Sequence, residues 1–311
     1  MTPSRPAAVA AIDCGTNTIK LLIRSGGEQP HDLVREARMV RLGQDVDRTG
    51  RLAEQALART FAAVDEYAAL IGEFGAERVR FCATSATRDA ANAEVFRHGV
   101  RERLGVEPEV IGGEAEAALA FAGAVRGLRT TPDWPVLVLD VGGGSTELVL
   151  GDAPDRGGVR AAHSMQIGSV RLHERHVADD PPTPEQVAAV VADIDAALDA
   201  CPVDPTGAGT VVGVAGTVTT LVAGVLDLPA YDREAIDQSV LGASDVHDLT
   251  MRLVAMPRAE RLALPWLHPG RADVIDAGAL IVDRVLARSG AASMLVSESD
   301  ILDGIAWSLA R

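Results

Sequence analysis

The sequence predicts an α/β protein in which one domain is duplicated and a cleft separates the two copies. The first observation is residues 138–150 (VLDVGGGSTELVL), where three glycines separate two apolar, strand-like runs. The second is an earlier stretch of the same kind, residues 12–23 (IDCGTNTIKLLI). The third is that a shift of 127 positions (140 − 13) places Asp13 on Asp140. Self-similarity of this kind indicates a repeated structural unit.

The glycine turn at 142–144 indicates an anion-binding site. Glycine allows backbone conformations that side chains forbid, and it brings bare N–H groups close to a ligand. Asp140 ends the strand before this turn, and Glu147 lies on the strand after it. Two carboxylates beside a ring of amides suit a divalent cation bound together with a phosphate. The alternative is a glycine-rich hairpin that merely exposes an Asp and a Glu.

The duplicated pattern resembles the actin, sugar-kinase and Hsp70 superfold, in which two ribonuclease H-like domains hold phosphates between their turns. The resemblance implies an N-terminal domain of residues 1–126 and a C-terminal domain of residues 136–311. Residues 127–135 (GLRTTPDWP) form a polar segment with two prolines, which is typical of a connector.

The elements of the first half follow from local patterns. Residues 52–71 have Ala and Leu at helical spacing before Gly72, which predicts a helix. Two further helices are expected, one containing Arg88 and Asn92 and one at 114–125. The β-type runs predict strands at 9–13, 18–24, 31–41, 78–83 and 109–111. The order of these elements favours parallel strands joined by crossover helices.

The second half repeats this opening. Its strands are predicted at 136–140, 146–151, 159–165, 210–214 and 294–296. Its helices are predicted at 169–176, 184–200, directly after 214, at 245–255, at 272–287 and at 301–310.

Composition narrows the class of protein. The formal charge of −15 argues against a partner that is nucleic acid or a membrane surface, since proteins that bind these are usually basic. Hydrophobic residues make up 47% of the chain and aromatic residues only 3%, so the cores must be built from aliphatic side chains and alanine. The three cysteines have no metal-type spacing and their number is odd, which favours a reducing cytoplasm. The first eleven residues contain no secretion signal pattern.

One segment has the length of a membrane span. Residues 205–226 contain no charged side chain. Five glycines and several threonines interrupt this segment, so it is better explained as a strand, a glycine turn and the start of a buried helix.

Seven stretches, in order along the whole chain, resemble the motifs of the exopolyphosphatase / guanosine pentaphosphate phosphatase (Ppx/GppA) family. They are 12–18 (IDCGTNT), 83–88 (ATSATR), 111–117 (IGGEAEA), 140–147 (DVGGGSTE), 166–172 (QIGSVRL), 213–219 (GVAGTVT) and 271–275 (RADVI). Each alone is a weak signal, but the ordered combination is specific. The chain stops where longer members carry an additional helical domain, so it resembles a short, two-domain form.

The resemblance implies an Mg²⁺-dependent (or Mn²⁺-dependent) hydrolase that releases orthophosphate from inorganic polyphosphate, with guanosine penta- and tetraphosphate as further candidate ligands. Two alternatives stay open at this point. An ATP-dependent kinase of the same superfold would hold its nucleotide at 213–217, although no motif for a sugar or acyl acceptor is evident. A non-enzymatic sensor of the guanosine alarmone of the stringent response would not need a catalytic base. The oligomeric state, including a homodimer, is left open by the sequence.

The resemblance also assigns roles to particular residues. Glu116 matches the family's catalytic glutamate, and Ala115 replaces the first acid of the family's frequent Glu-Glu pair. Acids are also common in first helical turns, which is the alternative explanation for Glu116 and the better one for Glu114. The expected metal ligands are Asp140 and Glu147, with Asp13 as a lesser candidate. The expected phosphate-binding residues are Gly15, Thr16, Asn17, Thr18, Lys20, Arg88, Gly142, Gly143, Gly144, Ser145, Arg171, Gly216, Thr217 and Arg271.

Overall fold

The computed structural model describes residues 8–27, 29–153 and 158–309, and its first sheet comes from the first half of the chain. The strand order in this sheet is β3-β2-β1-β4-β5. The strands are β1 (Ala8–Cys14), β2 (Thr18–Arg24), β3 (Asp32–Met39), β4 (Ala76–Ala83) and β5 (Glu109–Val110). Strands β1, β2 and β3 are antiparallel neighbours joined by short turns, whereas β1, β4 and β5 are parallel and need the helical connections. Parallel pairing therefore occurs only where a helix intervenes.

The second sheet repeats the order of the first. Its order is β10-β11-β9-β6-β7-β8, so β8, β7, β6, β9 and β11 correspond in turn to the five strands of the first sheet. The strands are β6 (Val136–Val141), β7 (Thr146–Gly151), β8 (Val159–Met165), β9 (Thr210–Val214), β10 (Val240–Gly242) and β11 (Ser293–Val296). Strand β10 is an additional edge strand that the sequence analysis missed. The predicted duplicated α/β fold is confirmed.

Helices connect and cover the two sheets. In the first half they are α1 (Val46–Thr49), α2 (Glu54–Phe74), α3 (Ser85–Arg88), α4 (Ala93–Leu104) and α5 (Gly113–Gly127). In the second half they are α6 (Ser169–His176), α7 (Pro184–Ala200), α8 (Ala215–Val225), α9 (Arg233–Ile236), α10 (Ala243–Ala255), α11 (Arg258–Arg261), α12 (Ile275–Ser289) and α13 (Ile301–Leu309). Among the helices described, none is long and apolar enough to cross a membrane.

Three helix predictions differ from the structure by more than two residues or in continuity, and the short helices α1, α9 and α11 were not predicted. Helix α2 continues past Gly72 and ends at Gly75, whose φ of 63° is the left-handed conformation that glycine favours. The helix expected to contain Arg88 and Asn92 is split into α3 and α4, because the Asn92 side chain pairs with the backbone of Leu52 instead of continuing a helix. Helix α12 begins at Ile275 and not at 272, since residues 269–271 form a 3₁₀ turn first.

Two helices, α5 and α13, link the two halves. Helix α5 packs Ala117, Phe121 and Ala124 against the second sheet. Helix α13, at the end of the chain, packs Ile305 and neighbouring residues against the first sheet. The two helices cross so closely that a Cβ on Gly123 would lie 1.8 Å from the carbonyl oxygen of Asp300. The domain bounds 1–126 and 136–311 stay a prediction, and their outer ends, like residue 310 of the predicted last helix, lie outside the described residues.

Candidate functional site

The two β-hairpins present their polar residues in the same register. Asp13 lies opposite Lys20 across β1 and β2. Asp140 lies opposite Glu147 across β6 and β7. The same N–H···O=C hydrogen bond closes both turns. It runs from Gly15 to Thr18 in the first hairpin and from Gly142 to Ser145 in the second, at 3.0 Å in each case.

The turns of the two halves contact each other directly. A Cβ added to Gly144 would lie 2.5 Å from Thr16 Oγ1 and 2.6 Å from Ser85 Oγ. Those two hydroxyls are hydrogen-bonded to each other at 2.9 Å and buried. Glycine at 144 is therefore required by close approach of the first half, since any side chain would push the halves apart.

A polar cavity of about 80 Å³ lies between the turns. Most of the residues that the sequence analysis selected line it. These are Asp13, Gly15, Thr16, Asn17, Thr18, Lys20, Glu116, Asp140, Gly142, Gly143, Ser145, Glu147, Gly216, Thr217 and Arg271. The sequence analysis gave no role to four polar or strained positions that line it too, namely Thr84, Ser85, Ser169 and Ala215. Thr84 and Ser85 stand inside the quoted motif at 83–88, which was the available signal.

Four buried carboxylates converge on this cavity. Burial raises the pKa of Asp13 to about 7, with Lys20 opposing the shift. Burial likewise raises the pKa of Asp140 to about 8. The pKa of Glu147 is raised by burial and by the neighbouring charges of Glu116 and Asp140, although Ser164 donates a hydrogen bond of 2.6 Å to it. Burial is the largest cause of each shift, so the ionised forms of these carboxylates are costly in the folded chain unless a cation binds beside them.

Helix α5 carries Glu116 into the site. Glu116 is 8% exposed, whereas Glu114 on the same helix is exposed to solvent. Arg88 Nη1 donates to Glu116 Oε2 at 3.1 Å and to the carbonyl of Ile111 at 3.0 Å. Burial raises the pKa of Glu116, and the hydrogen bonds from Arg88 and Thr84 oppose that shift. Glu116 is therefore held in one orientation with a basicity above that of an exposed glutamate.

Lys20 lies among these acids. Its Nζ is 2.5 Å from Asp300 Oδ2 and 3.8 Å from Asp13 Oδ2. Burial alone would lower the pKa of Lys20, but the charges of Asp300 and Asp13 outweigh burial and raise it. Lys20 therefore stays charged, and it is paired with an acid from the far end of the chain.

The donor set fits a hydrated divalent cation. Within residues 8–27, 29–153 and 158–309, no three His, Cys, Asp or Glu side chains are grouped so as to bind a metal ion by themselves. Mg²⁺ typically takes one or two carboxylates and completes its shell with water and phosphate oxygens. Asp140 and Glu147 offer such a pair: burial, followed by repulsion from neighbouring acids, raises the pKa of both carboxylates, and a bound cation would stabilise their ionised forms. In addition, the buried Nδ2 of Asn17 has no hydrogen-bond partner and lines the same cavity, as a donor to an oxyanion would.

A second helix start borders the cavity. Ala215 opens α8 with a φ of 66°, a left-handed conformation that is costly for a residue with a side chain and typical of functional sites. The guanidinium of Arg271 covers Gly216 so closely that a Cβ there would lie 1.8 Å from Nη2. Across the described part of the chain, Arg271 forms no ion pair within 4.0 Å, and burial lowers its pKa. Among the described residues no carboxylate pairs directly with this buried cation, although the charges of Tyr231 and Glu298 are near enough to oppose the effect of burial.

Three of the predicted phosphate-binding residues do not line this cavity. Arg88 pairs with Glu116 as described above. Arg171 lies behind the glycine turn, where it bonds to the carbonyl of Gly144 and to two acids of the first half, Asp47 and Asp89. Gly144 itself packs on the first half.

A larger cavity of about 630 Å³ adjoins the polar one and shares Thr18, Lys20, Ala215, Gly216 and Arg271 with it. Its wall is more apolar than that of the first cavity. It includes Met39, Tyr231, Pro265, Trp266 and Leu267, with Arg35, Arg233 and Glu298 among the charged residues. This second chamber has room for an organic group attached to a phosphate.

Comparison with known proteins places the chain in context. The sequence model of the Ppx/GppA phosphatase family matches residues 21–310. A protein from Mycobacterium tuberculosis named exopolyphosphatase 2 is 46% identical over 97% of this chain and 98% of its own length. A protein from Photobacterium profundum named guanosine-5'-triphosphate,3'-diphosphate pyrophosphatase is 29% identical over 96% of this chain and 59% of its own length.

Solved structures agree with these sequence matches. The crystal structure of a protein described as exopolyphosphatase-like is 44% identical, with a TM-score of 0.94, and covers 98% of this chain and 99% of that one. The Aquifex aeolicus member of the Ppx/GppA family has a TM-score of 0.80 at 33% identity, with 97% of each chain covered.

Proposed function

Because this chain belongs to the Ppx/GppA phosphatase family, we propose that it is an exopolyphosphatase, a hydrolase that releases orthophosphate from the end of inorganic polyphosphate. The observation that carries the proposal is the convergence of Glu116 with both hairpin turns on one polar cavity. A single cavity there combines a base, an anion-binding backbone and a pair of carboxylates.

Glu116 is the general base. Hydrolysis of a phosphoanhydride needs a water molecule aligned with the bond that breaks and a group that takes its proton. Glu116 has a fixed orientation, because Arg88 and Thr84 hold its carboxylate, and its raised pKa makes it a better proton acceptor than an exposed glutamate. Arg88 therefore acts on the base and not on the phosphate.

The hairpin turns and Arg271 hold the terminal phosphate. The carbonyls of Gly142 and Gly143 accept hydrogen bonds from the first amides of α6. In a trans peptide the next N–H points the opposite way, so the N–H of Gly143, which lines the cavity, points away from α6. This amide, with the free Nδ2 of Asn17 and the unpaired guanidinium of Arg271, supplies donors for the equatorial oxygens.

We assign Asp140 and Glu147 to Mg²⁺ (or Mn²⁺), with Asp13 as a further candidate ligand. When bound, the ion supplies positive charge that neutralises the phosphate oxygens as the bond breaks. The two carboxylates lie opposite each other on adjacent strands, so both reach the same side of the sheet. The metal and its ligands, a cytoplasmic location and a homodimer stay predictions.

Guanosine pentaphosphate is the second candidate substrate. The adjoining chamber has a wall formed in part by Tyr231 and Trp266, which suits a nucleoside better than a bare phosphate chain. The same polar cavity would hydrolyse its terminal anhydride. An ATP-dependent kinase and a non-enzymatic sensor are less favoured, because the relatives are named as phosphatases or pyrophosphatases and the base is retained.

The test is phosphate release from the purified protein with Mg²⁺ and no acceptor molecule. Polyphosphates of defined length and guanosine pentaphosphate would be compared side by side. A hydrolase frees orthophosphate from at least one of them, whereas a kinase without an acceptor or a sensor frees none.

A further inference from the structure

The glycine turn of β6–β7 is held from behind by α6. The N–H of Ser169 donates to the carbonyl of Gly142 at 3.0 Å, and the N–H groups of Val170 and Arg171 donate to the carbonyl of Gly143 at 2.9 and 3.0 Å. The carbonyl of Gly144 receives a side-chain donor instead, Arg171 Nε at 2.7 Å. The last carbonyl of the turn is therefore oriented by one side chain.

The orientation of that carbonyl fixes an amide in the site. The Gly144–Ser145 peptide is trans, so the N–H of Ser145 points opposite to the carbonyl that Arg171 binds. Ser145 lines the polar cavity, whereas Arg171 does not. Arg171 thus orients the N–H of Ser145, which can donate a hydrogen bond to phosphate, although Arg171 itself does not reach the cavity.

The other end of the same guanidinium contacts the first half of the protein. Nη1 donates to Asp47 Oδ1 at 2.5 Å, and Nη2 donates to Asp89 Oδ2 at 2.5 Å. Asp47 belongs to α1, and Asp89 directly follows α3. The Arg171 side chain is only 12% exposed, and the two acids are 24% and 28% exposed. The guanidinium therefore spans the interface between the halves and is largely withdrawn from water.

We propose that Arg171 is a positioning residue that couples contact between the two halves to the geometry of the phosphate-binding turn. When the halves are together, Asp47 and Asp89 fix the guanidinium, and its Nε fixes the Gly144–Ser145 peptide. When they separate, the amide of Ser145 loses its fixed direction. The inference rests on the proposed function, because it takes the turn as the binding site for phosphate. Lysine could not replace Arg171, since three acceptors in different directions need a planar fork of donors.

The experiment compares Arg171→Ala with Arg175→Ala. Arg175 lies on the same helix and pairs with the same Asp47, as well as with Asp193, so its loss removes a similar interface charge. It is not among the donors to the turn. Removing a fixed hydrogen-bond donor to an oxyanion typically lowers turnover by about 10²–10³-fold. Loosening such a donor should lower turnover less, so we expect Arg171→Ala to lower turnover of polyphosphate by about 10- to 100-fold. Arg175→Ala should stay within about twofold of the wild type, as exposed ion pairs contribute little.

Two further readouts separate positioning from a purely structural role. Added guanidinium ion should restore part of the turnover of Arg171→Ala and should not affect Arg175→Ala. Calorimetric affinity for orthophosphate should fall more in Arg171→Ala than in Arg175→Ala, measured at a temperature at which both proteins are folded. Wild-type turnover in Arg171→Ala, equal losses in the two variants, or a folded Arg171→Ala protein that guanidinium does not rescue would each overturn the inference.

If Arg171→Ala does not fold, the double variant Asp47→Asn with Asp89→Asn keeps Arg171 and its bond to Gly144 and removes the two charges that fix the guanidinium, together with the Arg175–Asp47 ion pair, whose own effect Arg175→Ala measures. A loss of turnover in this variant of about 10-fold supports the coupling, and wild-type turnover contradicts it. Failure of the proposed function would be recognised separately, because the wild type itself would then release no phosphate. The affinities of the wild type and the variants for orthophosphate could still be compared in that case.

Discussion

Arg88 Nη1 lies 3.1 Å from Glu116 Oε2, and this hydrogen bond joins the 83–88 motif to the base on α5. The remaining amino group of Arg88, Nη2, is buried without a partner. Burial raises the pKa of Glu116 while the Arg88 contact opposes that shift, so the carboxylate is more basic than an exposed glutamate and is held in place by Arg88. The pair explains why a site with several acids has one defined base.

Glu116→Gln should lower turnover by about 10²–10⁴-fold, because glutamine keeps the shape of the side chain but cannot accept the proton. Substrate binding should be retained, so the Michaelis constant changes little. Steady-state phosphate release measures both quantities. Glu114→Gln is the matched control, since Glu114 is an exposed acid on the same helix. Near-normal turnover in Glu116→Gln would show that Glu116 is not the general base.

Asp140→Asn should raise the Mg²⁺ concentration needed for half-maximal activity and lower the maximum as well, because the amide is a weaker ligand for a hard cation. A magnesium titration of phosphate release measures both effects. Asp248→Asn, which changes an exposed acid on α10, is the control. If the titrations of wild type and Asp140→Asn coincide, the cation binds elsewhere.

Magnesium should stabilise the protein more at high pH than at low pH. In the folded protein the pKa of Asp13 is about 7 and that of Asp140 about 8, against an ordinary value of 3.8. Since the folded state holds these protons more tightly than the unfolded chain, their contribution to the free energy of unfolding falls as pH rises from about 4 to 8. Mg²⁺ competes with the same protons, so the stabilisation it provides grows over that range.

The measurement is the melting temperature at several pH values between about 5 and 9, with and without Mg²⁺. The difference caused by Mg²⁺ should be small near the acid end and large near the basic end. In Asp140→Asn the rise in melting temperature caused by Mg²⁺ should depend less on pH than in the wild type. Equal Mg²⁺-induced increments at both ends of the range would show that these carboxylates do not take the cation.

Lys20→Met should weaken binding of polyphosphate. Methionine keeps an unbranched stem but removes the charge, and a unit charge at a few ångströms contributes about 1–4 kcal/mol in a partly dry cleft. We expect the Michaelis constant to rise by about 10-fold at low salt and its salt dependence to become shallower. Asp300→Asn is the informative counterpart, because it frees Lys20 from its partner at 2.5 Å and should not raise the Michaelis constant. Unchanged Michaelis constants for Lys20→Met at low and high salt would exclude an anion-holding role.

The repeat is the feature that the sequence determined most completely. The shift by 127 positions predicted two equivalent hairpins. In the structure, Asp13 and Asp140 occupy equivalent positions in their strand pairs, and an equivalent backbone hydrogen bond closes each turn. The reason is that strand alternation and glycine turns depend on a few adjacent residues. The position of Glu116 behind two glycines likewise predicted a helix start, and α5 begins at Gly113.

Only the tertiary structure decided where the long cationic side chains point. Arg88 and Arg171 stand in motif segments as predicted, yet one holds the base and the other holds the back of the turn. Lys20 pairs with Asp300, 280 positions away in the chain. A flexible side chain that reaches several ångströms takes its partner from whichever elements the fold brings near it, and α5 and α13 bring elements from opposite halves together. Local pattern therefore determined the backbone of the site, and long-range packing determined how its charges are paired.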